Sequence, residues 1–341
     1  MEGKVVLYPI MGVSHIIPMV QLAKLFLNHG ISVEIAVINP PVMPTSTTNF
    51  ISKVSSTNPE IKFNLLPPLP PPTKPPTTPF STMLNTIQSN NTQLQSYLQS
   101  MSETTSVSAL VIDFFCVDAL NVAAALKIPV YTFYTSGAND LAVLLRMPEL
   151  VPTWNHTKKD VGKNPVVIPG IPLLRASDLP HLVLHFNTED HELFINVFSE
   201  NFERWALPLN PANTTYVLAY CIGPLVTAPQ EGVAHPCLRW LDSQPKNSVV
   251  LLSFGSSGNF PINQLQDIAF GIEKSGQKFI WVVRNPESAS PDGKPYDPLA
   301  EPDLGALLPE GFLNRTKEQG IVVKHGRHRS KFYSMRPSGD S

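Results

Sequence analysis

Apolar positions in the first part of the chain switch between short continuous runs and helical spacing. Lys4-Val5-Val6-Leu7-Tyr8 is an apolar run of strand length. Met19, Leu22, Ala23 and Phe26 then recur at helical spacing, with Pro18 suited to a first helical position and His29-Gly30 to a helix end. Ser32 to Ile38 is again short, apolar and rich in β-branched residues, as a buried parallel strand should be. The same alternation predicts strands over 61–66, 109–112 and 130–134, and helices over 84–100, 118–126 and 189–205. Segment 148–178, interrupted by Pro148, Pro152, Pro165, Pro169 and Pro172, reads as loop. Strands alternating with helices imply a parallel sheet covered on both faces.

A second set of elements follows Gly223-Pro224-Leu225. Strands are expected over 248–254, 279–283 and 321–324, and helices over 262–275 and 310–318. Three parallel strands leave open edges and one face uncovered. The expected organisation is therefore α/β: a first parallel-sheet domain over 1–225, a linker over 226–235, a partial second domain over 236–324, and an irregular basic tail over 325–341. Pro67, Pro68, Pro70, Pro71, Pro72, Pro75, Pro76 and Pro79 mark an extended surface loop, because proline fixes φ and lacks a donor.

Composition narrows the function classes. The 341 residues carry a formal net charge of −2, and no basic face or nucleic-acid module is evident. Val5 to Ala23 lacks charged residues, yet Pro9, Gly12, Ser14, His15 and Pro18 interrupt it, so it reads neither as a signal peptide nor as a membrane span. Cys116, Cys221 and Cys237 form an odd and sparse set, consistent with a reduced, cytoplasmic compartment.

Several residues can carry chemistry. His15 follows the turn Met11-Gly12-Val13-Ser14 at the end of the first strand, the sheet edge where ligands bind in open parallel sheets. A histidine there suits proton abstraction from a hydroxyl, although on position alone a capping or buried structural role fits better. Asp113 ends the run Ala109-Leu110-Val111-Ile112 at the same edge, where it either orients His15 as a triad aspartate would or caps the helix near Asp118. Ser253-Phe254-Gly255-Ser256-Ser257-Gly258 lies between a strand and a helix, so it is either a phosphate-binding loop or an ordinary tight turn. His181, His185 and His191 have metal-like spacing without supporting cysteines or carboxylates. Trp240 and Trp281 sit in apolar stretches as core residues. Glu34 stands at a spacing that would suit a dinucleotide-binding acid, but His15 and Pro18 occupy the turn where glycines would be needed.

Taken in order, several strings resemble one family: Gly12-Val13-Ser14-His15-Ile16-Ile17-Pro18-Met19, Val111-Ile112-Asp113-Phe114-Phe115-Cys116, Phe133-Tyr134-Thr135-Ser136-Gly137-Ala138 and Tyr220-Cys221-Ile222-Gly223-Pro224-Leu225. Cys237-Leu238-Arg239-Trp240-Leu241-Asp242, Ser253-Phe254-Gly255-Ser256, Phe279-Ile280-Trp281-Val282-Val283-Arg284 and Leu308-Pro309-Glu310-Gly311-Phe312 continue the match. The set resembles plant secondary-product UDP-glycosyltransferases, especially those that glucosylate flavonoid-like phenols. The resemblance implies the two-domain GT-B architecture, with a small phenolic acceptor held mainly by the first domain and a UDP-sugar donor, probed as UDP-glucose, mainly by the second. It implies His15 as general base, Asp113 as its orienting group, Thr135 at the sugar, and Gly255 and Ser256 near the diphosphate. Phe114, Phe115 and Tyr134 would then line the acceptor site. No metal or other cofactor is implied.

The chain departs from the family pattern in three places. Ser14 replaces a usual glycine, no strand is evident between Glu200 and Tyr220, and the match ends near Lys324. There the family continues into a donor-binding box that begins Trp-Ala-Pro-Gln, whereas this chain reads His325-Gly326-Arg327-His328-Arg329. The segment reads as a frameshifted or misspliced terminus. The 341 residues alone are then expected to transfer little sugar, the alternative being a non-catalytic remnant that binds a small phenol or a partner.

Overall fold

The computed structural model describes residues 3–40, 43, 45–69, 78–150, 167, 172–175, 189–208, 215–217, 219–223, 225, 236–254, 260–286 and 301–324. The chain divides into two compact units, Met1–Leu225 and Val226–Ser341. The linker 226–235, the tail 325–341 and most of the proline-rich stretch lie outside the described residues.

In the first unit, β1 (Lys4–Tyr8), β2 (Val33–Val37), β3 (Lys62–Leu65), β4 (Val107–Asp113) and β5 (Val130–Phe133) form one parallel sheet in the order β3-β2-β1-β4-β5. The pleat sends alternate residues of central β1 to opposite faces. Val6 and Tyr8 join the core beneath α4 (Asn91–Thr104) and α5 (Ala119–Leu126), with Leu94, Leu98, Val122 and Ala123. Val5 and Leu7 join the opposite core beneath α1 (Val13–Asn28) and α2 (Thr45–Thr57), with Ile16, Met19, Ala23, Ile51 and Val54. The continuous apolar run of β1 thus reflects burial on both sides.

Several elements differ from the sequence expectation. The helix expected over 84–100 is two helices, α3 (Pro79–Ser89) and α4, separated at fully buried Asn90, whose side-chain amide donates to the Thr86 carbonyl at 2.8 Å. Local side-chain bonding of this kind competes with helix continuation. Helix α2 was hidden by its Thr- and Ser-rich composition, and α6 (Ala138–Leu150) by the prolines that follow it. Pro18 lies inside α1 rather than at its first position, because the helix already starts at Val13. Beyond α7 (Glu189–Trp205), β6 (Ala206–Pro208) and β7 (Thr215–Val217) pair antiparallel, where no strand was legible between the prolines.

The second unit holds α8 (Pro236–Asp242), β8 (Val249–Leu252), α9 (Ile262–Ser275), β9 (Lys278–Val283), α10 (Leu304–Leu307), α11 (Phe312–Arg315) and β10 (Gly320–Lys324). Its sheet is parallel, in the order β10-β9-β8. Phe279 and Trp281 of β9 pack on Leu265, Ala269, Leu307 and Phe312, while Ile280 packs on the other side with Cys237 and Val323. The expectation of an uncovered face is therefore corrected at β9, which α8 backs through Cys237. It holds at edge strand β8, where Val250 and Leu251 are 46% and 52% exposed. The helix expected over 310–318 shrinks to the single turn α11, tied to α9 by Arg315, whose Nε and Nη2 donate to Glu273 at 2.5 and 3.0 Å. Gly320 is required at the start of β10: a Cβ there would come within 2.5 Å of the Phe279 carbonyl.

Glu34, the acid considered for a dinucleotide ribose, is already engaged. It lies near the start of β2, and ligands gather at the opposite, carboxyl edge. Its Oε1 meets Lys4 Nζ at 2.5 Å, and its Oε2 accepts from the Tyr97 hydroxyl at 2.8 Å. Burial pushes the carboxyl pKa up, but these hydrogen bonds and the Lys4 charge outweigh it and hold the value below the ordinary one; the same neighbourhood raises the Tyr97 phenol. The stabilisation is therefore complete above the unfolded carboxylate value and is lost as pH falls through the depressed folded value. Glu34→Gln is predicted to lower the protection of β1 and β2 amides by about 1–3 kcal/mol near neutral pH, and by less in acid, read by hydrogen exchange.

Candidate active site

The strand order reverses direction beside β1: β2 and β3 extend to one side, β4 and β5 to the other. Such a switch point opens a crevice at the carboxyl ends of the two central strands. In the register, Tyr8 pairs with Ile112 and Asp113 with Phe133. The segments leaving β1, β4 and β5 therefore start from one edge, and they carry His15, Asp113 to Cys116, and Tyr134 to Thr135.

His15 is the third residue of α1. The helix starts abruptly because Gly12 takes φ +103°, a conformation that side chains disfavour. His15 Nδ1 lies 2.8 Å from Asp113 Oδ2, with side-chain exposures of 25% and 2%. Asp113 Oδ1 accepts the Phe115 backbone N–H at 3.1 Å, and its carbonyl accepts from Cys116 N at 2.9 Å. One carboxylate thus holds the imidazole and the turn that follows β4. It does not cap α5, for which Asp118 is the N-cap residue. With Nδ1–H donating to Asp113, the lone pair resides on Nε2 of a ring that is 25% exposed.

Aromatic rings surround this pair. The Phe115 ring stands edge-on to His15 at 6.2 Å, and Phe80 of α3 stands edge-on to Phe115 at 6.3 Å. Phe114 is only 3% exposed and backs Phe115 and Tyr134 at 5.7 and 5.1 Å. Expected to line the acceptor site, it is instead buried in a core with Val143, Leu144, Met147 and Phe194. Phe115, Tyr134 and Phe80 are partly exposed. The Tyr134 phenol is raised, by burial first and then by Asp140, to which its hydroxyl donates at 3.3 Å; Ser136 Oγ donates to the same Asp140 oxygen at 2.6 Å. Thr135 between them is exposed. Cys116 is fully buried; burial, then the Asp113 charge, push its thiol pKa well above the ordinary value, so it is no nucleophile.

Gly255 and Ser256, with His181 and His185, lie outside the described residues. His191 is buried in α7, 7% exposed. Among the described residues, no group of three or more His, Cys, Asp and Glu side chains is arranged to hold a metal ion. None of their helices is long and apolar enough to cross a membrane. Trp281 is fully buried and Trp240 packs at the α8 face, both as core. Sequence reasoning missed Phe80, Asp140, Asp190 and Phe194. An aromatic directly after the proline run and acids in the first turn of a helix carry no motif, so only the tertiary packing reveals them.

The geometry predicts that neutral His15 is the Nδ1–H tautomer. Long-range proton–nitrogen correlation on labelled protein is expected to show that tautomer, and Asp113→Ala to abolish the preference.

No protein-family model matches the chain. It is 36% identical over 347 residues to UDP-glycosyltransferase 88B1 of Stevia rebaudiana, a match covering 95% of this chain and 73% of that protein. It is 34% identical over 354 residues to an anthocyanidin 5,3-O-glucosyltransferase of a Rosa hybrid cultivar, covering 94% and 72%. Among solved structures it is similar to Phytolacca americana UGT2 complexed with UDP-2-fluoro-glucose and pterostilbene, with a TM-score of 0.73, 26% identity, and coverage of 95% of this chain and 71% of that one.

Proposed function

The chain belongs to the plant UDP-glycosyltransferases, proteins of the GT-B fold that use UDP-sugar donors, and from that membership we propose that it serves glucosyl transfer from UDP-glucose to a hydroxyl of a flavonoid-like phenol. The observation that carries the residue roles is the 2.8 Å contact between His15 Nδ1 and Asp113 Oδ2. Asp113 fixes the tautomer, so Nε2 of His15 accepts the proton of the acceptor hydroxyl as its oxygen attacks the anomeric carbon. The new C–O bond forms on the face opposite the leaving group, the old bond to the UDP oxygen breaks, and UDP departs with the electron pair. The result is inversion. The imidazolium that forms is stabilised by the buried carboxylate beneath it.

The acceptor side rests on Phe115, edge-on to the base, and on the partly exposed Tyr134, with Thr135 reaching the sugar. Phenols suit such a wall because offset and edge-to-face ring contacts add about 0.5–1.5 kcal/mol beyond burial. Similarity to an anthocyanidin glucosyltransferase and to a structure holding pterostilbene supports that acceptor class. The donor diphosphate falls to Gly255 and Ser256. A cytoplasmic location is supported by the sparse and odd set Cys116, Cys221 and Cys237.

His15→Ala is predicted to reduce turnover of a flavonol by about 10²–10⁴-fold with little change in folding. Near-normal turnover of that variant would remove His15 from the role of base.

A further inference from the structure

The wall beside His15 continues beyond the residues assigned to the acceptor. Phe80, at the start of α3, meets Phe115 at 6.3 Å and Phe194 of α7 at 6.1 Å. Phe194 is buried, 7% exposed, within a core that includes Phe114, Val143, Leu144 and Met147. A chain of ring contacts therefore runs from the base outward, His15 to Phe115 to Phe80, and is anchored inward at Phe194.

A polar clasp sets the position of Phe80. The Thr78 hydroxyl donates to Asp190 Oδ1 in the first turn of α7 at 2.5 Å and accepts the Ser81 N–H at 3.1 Å. Ser81, 3% exposed, returns the bond: its Oγ accepts from Thr78 N at 3.1 Å and donates to the Thr78 carbonyl at 3.0 Å. One hydroxyl thus both caps α3 and pins that cap to a helix 112 residues further along the chain.

We propose that Phe80 is an acceptor-specificity residue and that the Thr78–Asp190 clasp is its positioning device; this rests on the phenol-binding reading of the His15 face. Phe115 alone suffices to meet the ring that bears the reacting hydroxyl. A second or third fused ring of the same acceptor extends past Phe115 and contacts Phe80. The clasp holds that ring against Phe115 and Phe194 at little entropic cost on binding. Selection for multi-ring over single-ring phenols is the consequence.

Calorimetry on the full 341-residue chain tests this with quercetin as the multi-ring probe and 4-nitrophenol as the single-ring probe, folding being verified by circular dichroism. Phe80→Leu, which keeps apolar bulk, is expected to weaken quercetin by about tenfold and 4-nitrophenol by less than about twofold. Thr78→Val is expected to repeat that selective loss, and Thr78→Ser to restore wild-type binding of both. Equal weakening of both probes, or wild-type affinities in both Phe80→Leu and Thr78→Val, would overturn the proposal while leaving the phenol site intact. Failure of the folded wild-type chain to bind either phenol would instead overturn the reading on which it rests.

Discussion

The carboxylate of Asp113 has both oxygens committed, one to the His15 imidazole and one to the Phe115 backbone N–H, and its side chain is 2% exposed. Burying a charge costs several kcal/mol unless hydrogen bonds replace the lost water. Here the replacements are the groups that matter for chemistry. Removing either would leave a buried acceptor unsatisfied, so the base and the aromatic turn are fixed by the same electrostatic requirement. The ring of Phe115 is held edge-on to His15 as a result.

That arrangement depends on topology more than on local sequence. His15 and Asp113 are 98 residues apart and meet because β1 and β4 are adjacent in the sheet although β2 and β3 intervene in the chain. The reversal of strand order opens the crevice, the parallel register brings the two strand ends level, and Gly12 lets α1 begin close enough to β1 for its first turn to face β4. Packing supports the geometry from both sides. Val6 and Tyr8 lock one face of β1 and Val5 and Leu7 the other, leaving the strand little freedom to shift.

Much of this was legible in the order of residues. Strands β1, β4 and β9 centre on continuous apolar runs, Val5 to Tyr8, Ala109 to Ile112 and Phe279 to Val283, and a parallel sheet covered on both faces makes such runs. His15 and Asp113 were recognisable as strand-end polar residues, but their contact was not, since spacing along the chain says nothing about strand order. Asn90 broke a helix that periodicity ran through, because a buried amide bonding to the preceding turn leaves no mark on the apolar pattern. Phe114 and Phe115 look alike in sequence, yet the turn after β4 buries one and leaves the other partly exposed. The clasp between Thr78 and Asp190 joins two helices across 112 residues and has no local signature.

The unity of base, orienting acid and aromatic wall is most directly tested by a crystal structure of the chain with quercetin bound. The account predicts an acceptor hydroxyl oxygen about 2.6–3.2 Å from His15 Nε2, with the ring that bears it against Phe115. A phenol seated elsewhere, or one whose hydroxyls all point away from His15 while the Asp113 contact persists, would contradict it.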